Sequence, residues 1–287
     1  MFSSRFLLLA AGLATGSLFA QSDAPLAFPA ASQPATISQR VGLTDIEITY
    51  SRPAMRGREI FGALVPYGEV WRTGANNATK ITFSTDVTLN GSAVPAGTYE
   101  LHTIPTPGDW TVIIHRDMGQ WGSYAYDPEN DIARFTASPE SLRTPVQTLT
   151  LSIDDIKKES ATLGIAWAGT RVPVEIEVDV AGQLVPQIEA AMAADGGNKP
   201  YFQAAMYYYE NDLDLEKATA WMDAAVAGNP GQMWMIYRQG LILAKKGDKA
   251  AALAAARQSI ELAQNAPSPS LRDEYIRLNE ALIASLR

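Results

Sequence analysis

At 287 residues, 47% of them hydrophobic and 19% charged, the chain has the length of two domains and the composition of a globular protein with ample material for a core. It holds no cysteine and only two histidines, His102 and His115, which excludes disulfides, thiol nucleophiles, thiolate metal sites and a histidine-rich metal centre. The formal net charge of −8 argues against nucleic acid and anionic membrane as partners, since both need a basic footprint.

Residues 1–20 read as a secretory signal peptide. Arg5 supplies one positive charge, residues 6–13 are apolar, and small residues lead to Ala20 before Gln21. The apolar run is shorter than the ~20 residues of a membrane span, so the protein is expected to be exported, periplasmic or secreted, with no span left after cleavage near Ala20. No cysteine follows the run, which rules out a bacterial lipid anchor. From Gln21 onward 22 basic residues face 31 acidic ones, a net charge of −9. The part from Asn198 carries ten of each sign, so the whole excess lies in residues 21–197. Five of that segment's twelve basic residues, Arg52, Arg56, Arg58, Arg72 and Lys80, nevertheless fall between positions 52 and 80. A locally basic stretch in an acidic domain points to an anionic or hydrogen-bond-accepting ligand.

Residues 21–35, rich in Ala, Pro and Ser, predict an unstructured leader. From there to about residue 180 the pattern is β. Ile46-Glu-Ile-Thr-Tyr50 alternates, as do Ile81-Thr-Phe83 and Val87-Thr-Leu89, and Asn90-Gly91 marks a hairpin. Turns at Pro95-Ala-Gly97 and at residues 105–109 bracket strands carrying His102 and His115. A long polar and aromatic connection spans 117–131, and three further strands are expected over 146–153, 162–167 and 172–178. Eight or more short strands without an intervening helix predict an antiparallel β-sandwich or barrel over 36–180.

From about Leu184 the chain turns Ala-rich with a period near 3.6. Breaks at residues 211–214 and 246–248 align Tyr209 over Leu243, Ala218 over Ala252 and Ala225 over Ser259, each 34 residues apart. That period, with small residues at helix crossings, resembles the tetratricopeptide repeat. An all-α, TPR-like module is expected over 185–287, closed by a last helix from Pro269. Two repeats are fewer than the three that usually stand alone, so the module is expected to lean on the β domain or a partner.

The densest motif lies in residues 67–79, with Tyr67, Trp71, Arg72, Asn76 and two glycines among thirteen residues. Tyr50-Ser-Arg-Pro53, Gly57-Arg-Glu-Ile-Phe-Gly62, Val65-Pro-Tyr-Gly-Glu-Val-Trp-Arg-Thr-Gly-Ala-Asn76, Ala96-Gly-Thr-Tyr99, Thr103-Ile-Pro105 and Trp121-Gly-Ser-Tyr124 together resemble the DUF2911 family, exported bacterial proteins of unknown function, over residues 38–178. The resemblance implies a β-sandwich and supplies no activity. Relatives commonly carry an acidic residue where this chain has Asn77, so a catalytic carboxylate at that position would be missing here.

Arg72 and Asn76 lead the candidate ligand site. A guanidinium fork suits carboxylate, phosphate or sugar hydroxyls, and Trp71 and Tyr67 can stack on an apolar ligand face. The plainer alternative pairs Arg72 with Glu59 or Glu69 and gives Asn76 a left-handed turn position. Arg52, Arg56 and Arg58 flank Pro53 and Gly57 on an expected loop. His102 and His115 share a face if their turn has four residues and oppose each other if it has five. A zinc site would need a third ligand, so no metal is expected. Asp127, Glu129 and Asp131 read as a solvated loop, since they lack the glycine and distal glutamate of an EF-hand. There is no nucleophile elbow, phosphate-cradling glycine loop or His-Glu-x-x-His, and no cofactor is expected.

The sequence therefore favours a non-enzymatic, exported ligand- or partner-binding module. A small anionic or carbohydrate ligand would sit at residues 71–76, with a protein docked on the repeats. A hydrolase of envelope glycan or peptide, using Asp127, Glu129 or a histidine, is the alternative. A purely structural protein is the third reading. Arg72 buried against an acidic partner, with no cleft, would favour the last; a cleft joining the Arg72 region to the Trp121–Asp131 loop would favour the first two.

Overall fold

The computed structural model describes residues 28–116 and 118–287; the expected signal peptide and the first part of the expected leader lie outside them. Strands occupy 33–178 and α-helices 180–285, without mixing. The strands are β1 (Gln33–Val41), β2 (Thr44–Arg52), β3 (Thr79–Phe83), β4 (Val87–Leu89), β5 (Ser92–Val94), β6 (Gly97–Ile104), β7 (Trp110–Arg116), β8 (Asp131–Ala137), β9 (Glu140–Asp154) and β10 (Ser160–Val178). The first strand thus begins at Gln33, inside the stretch expected to be a leader.

Two open sheets form, in the orders β1-β2-β3-β6-β7-β8 and β5-β4-β10-β9. Both end on free edges, so the barrel alternative is corrected to a pair of antiparallel sheets. Simple alternation builds β2: Ile46, Ile48 and Tyr50 are buried while Asp45, Glu47 and Thr49 are exposed. Asn90 (φ 44°) and Gly91 (φ 80°) are both left-handed, as a two-residue hairpin turn requires, and they join β4 to β5 with Leu89 opposite Ser92. Phe61 seals the core between the sheets. Its ring lies 4.7 Å from Trp110 of β7 and 6.2 Å from Trp167 of β10, edge-on to both.

The central pair β6 and β7 departs from alternation, being buried on both faces. Tyr99, Leu101, Val112 and Ile114 line one face, and Glu100, His102, Ile113 and His115 the other. Ile104 opposite Thr111 is the last pair before the turn. Six residues lie between them, an even number, so both histidines share a face.

The helical unit comprises α1 (Val180–Ala193), α2 (Tyr201–Glu210), α3 (Leu215–Gly228), α4 (Met233–Lys246), α5 (Lys249–Gln264) and α6 (Pro269–Ser285). Its first helix starts five residues before the expected boundary at 185. The breaks fall where the sequence placed them. Asp214 caps α3 by accepting from the N–H groups of Glu216 and Lys217, and Asp248 caps α5 by accepting from Ala251. Gly247 closes α4 at φ 94°, a conformation that glycine adopts without strain. Ala218, Ala225, Ala252 and Ser259, the small residues of the 34-residue alignment, are all buried. Among the described residues no helix is long and apolar enough to cross a membrane.

Candidate functional site

The loop between β2 and β3 walls a cleft of about 290 Å³, at the lower end of small-ligand pockets. Arg56, Arg58 and Arg72 line it, together with Trp71 and Trp167. The two indoles stack at 5.9 Å with planes 22° apart, and Trp71 Nε1 donates to the Gly74 carbonyl at 3.0 Å. Trp71 is only 7% exposed, so it is part core and part cleft wall.

Arg72 is half-buried, with its guanidinium carbon 5.9 Å from the centre of the exposed Trp121 ring. Its Nε is buried with no hydrogen-bond partner, and among the described residues no carboxylate pairs with it. Burial holds the guanidinium below arginine's ordinary range, opposed by Tyr124. A charged donor left buried without a partner is costly.

The other nominated residues divide. Arg58 lines the cleft but folds onto its own loop, with Nε donating to the Met55 carbonyl and Nη2 to that of Ala54. Arg56 donates from Nη2 to the Ala31 carbonyl. Arg52 points elsewhere, donating from Nε to the Leu149 carbonyl and from Nη2 to Thr150 Oγ1 of β9; it fastens β2 to the facing sheet. Tyr67 is 44% exposed, packs on Gly62 and is not among the cleft residues. Asn76 is left-handed at φ 60°, donates to Ser51 Oγ at 3.2 Å and accepts from the Gly122 N–H. That bond, with the bridge between Asn77 and Trp121, ties the motif to the 118–130 loop.

Under that loop lies a cluster that the sequence did not assemble. Glu100, His102 and His115 are all fully buried. Glu100 Oε2 lies 3.2 Å from His102 Nε2 and 3.6 Å from His115 Nδ1. Gln120 covers the carboxylate, its backbone N–H reaching Oε1 at 3.1 Å and its side-chain amide reaching Oε2. Burial alone would raise the Glu100 pKa, but the Gln120 and His102 hydrogen bonds outweigh it and hold the carboxyl below its usual range. Burial pushes His102 down, opposed by Glu100. The cluster therefore holds a carboxylate beside a neutral imidazole. Glu100 had a signal in the sequence: it lies two residues before His102, on the same face of a strand. Gln120 had none.

Two of the loop's three acidic side chains, Asp127 and Asp131, serve local structure. Asp127 Oδ1 accepts from the Glu129 N–H at the start of a 3-10 turn, Pro128–Asn130. Asp131 accepts from the Tyr126 hydroxyl and pairs with Arg134 at 3.1 Å. The Tyr126 ring lies 5.6 Å from that of His102 and 5.2 Å from that of His115, closing the cluster from the loop side.

Residues 32–176 match the family model described as a protein of unknown function, DUF2911. No curated protein and no solved structure matches the chain.

Proposed function

The chain belongs to the DUF2911 family, and we propose that its β unit is a binding module whose arginine-rimmed cleft takes a small anionic ligand, a carboxylate, a phosphate ester or an acidic sugar. The observation that carries this reading is Arg72, which lines the cleft with no carboxylate paired to it among the described residues. Arg56 and Arg58 on the same cleft add positive charge, and the indoles of Trp71 and Trp167 offer an apolar surface beside it. The hydrolytic alternative has less support, because Asp127 and Asp131 are engaged in a cap and an ion pair. We take the protein to act outside the cytoplasm, as residues 1–20 suggest. The tail is read as a tetratricopeptide-like docking module, on the support of its 34-residue alignment.

A thermal-shift screen with dicarboxylates, phosphate esters and uronic acids tests the cleft. A ligand at 100 times its Kd adds about 2.7 kcal/mol of stability. Arg72→Ala is expected to abolish the shift while melting close to the parent. A parent protein that no anion stabilises, or an Arg72→Ala variant shifted as much as the parent, would sink the reading.

A further inference from the structure

Both histidines of the chain converge on one buried carboxylate, and we propose that Glu100, His102 and His115 bind a divalent transition-metal ion of the zinc type. Two imidazoles and a carboxylate are a donor set that suits zinc and its first-row neighbours. Donors about 2.0–2.2 Å from a tetrahedral ion lie roughly 3.3–3.6 Å from one another. Glu100 Oε2 lies at the upper end of that spacing from His115 Nδ1, at 3.6 Å, and just below its lower end from His102 Nε2, at 3.2 Å. One donor atom from each of the three lies within 4.8 Å of the others, and rotation of one ring shortens the widest edge.

The chain's own groups leave His115 incompletely satisfied. His115 faces acceptors on both sides, the Arg116 carbonyl 2.8 Å from Nδ1 and the Asp127 carbonyl 3.1 Å from Nε2. A ring with a single N–H can donate to only one of the two. A cation at Nδ1 removes that conflict, because Nε2–H then donates to Asp127 as metal-bound histidines commonly donate to backbone carbonyls. Among the described residues Glu100 has no Lys or Arg partner, so hydrogen bonds alone meet its charge and a cation would add the opposite charge it lacks. Gln120, donating to both carboxylate oxygens, is the supporting residue that orients the ligand. Full burial under the 118–130 loop fits an ion that pins the loop rather than one that turns over substrate.

The test starts from the full chain, stripped with a chelator and titrated with Zn²⁺ by calorimetry and with Co²⁺ by visible absorption. One equivalent is expected to bind. Glu100→Gln and His102→Gln should each weaken binding by more than the about 10–100-fold that loss of a supporting residue costs. Ser259→Ala, in the helical tail, should leave the affinity unchanged, which separates loss of the site from general destabilisation. Should a variant fail to fold, the parent still decides. With two histidines in the whole sequence, paramagnetically shifted imidazole resonances in the Co²⁺ form can come only from this pair. A stripped protein that takes up neither ion, binding without shifted imidazole signals, or affinity unchanged in the folded variants would overturn the proposal.

Discussion

Gln120 grips Glu100 with two donors at once, backbone N–H to one carboxylate oxygen and side-chain amide to the other. The next residue, Trp121, lies under the Arg72 guanidinium. Consecutive residues of one loop thus hold the buried cluster and the cleft arginine.

Gln120→Ala removes the side-chain donor from a fully buried carboxylate. The expected cost is about 1–3 kcal/mol, read as a lower urea midpoint with an unchanged slope. Because Glu100 then loses a bond to its charged form, the loss should be smaller at low pH, where the carboxyl is protonated.

Acid should destabilise the protein in two overlapping stages. His102 sits below its ordinary value of 6.5 in the folded state, so as pH falls through 6.5 the unfolded chain takes up a proton first and stability drops. Glu100, depressed below 4.5, repeats this as pH falls through 4.5. Stability from both is fully present above pH 6.5. Denaturation series with a chelator present should show the decline, and Glu100→Gln should flatten its lower stage.

Gly62 has φ +88°, and a Cβ there would lie 2.6 Å from Tyr67 Cε2. Gly62→Ala should cost about 1–3 kcal/mol. The Tyr67 ring can swing aside and the backbone cannot, so in a Tyr67→Ala background the thermal-melt penalty should shrink without vanishing.

In the tail, buried Ser259 donates to the Met233 carbonyl at 2.8 Å and accepts from Asn279 Nδ2 at 2.9 Å. Ser259→Ala should cost about 1–3 kcal/mol in the helical signal on denaturation. Combining it with Asn279→Leu, which also removes the unpartnered Asn279 Oδ1, should cost less than the two single changes added together.

What could be read in advance follows from how local each signal is. The alternation of β2, the Asn90-Gly91 turn and the helix breaks at Asp214 and Gly247 depend on neighbours within a few residues. Each appears where the sequence placed it. The full enclosure of Glu100 and His102 was not legible, because their cover, Gln120, comes from a loop about twenty residues on. The parity that unites His102 with His115 rests on a turn stabilised by Thr106 Oγ1, which accepts from Gly108 N–H and donates to the Asp109 carbonyl. Arg72 and Trp71, which line the cleft, belong to the dense motif of 67–79, and Arg58 to the basic stretch before it. The partners of Arg52, Leu149 and Thr150, lie about a hundred residues away on another sheet, beyond the reach of any local signal.

The Trp71 and Trp167 stack gives the cleft an optical signature of its own. Two indoles at 5.9 Å with planes 22° apart are close enough for their excited states to couple and to split the ultraviolet circular dichroism. Any molecule that settles against that wall should perturb the splitting, so occupancy can be followed without a label.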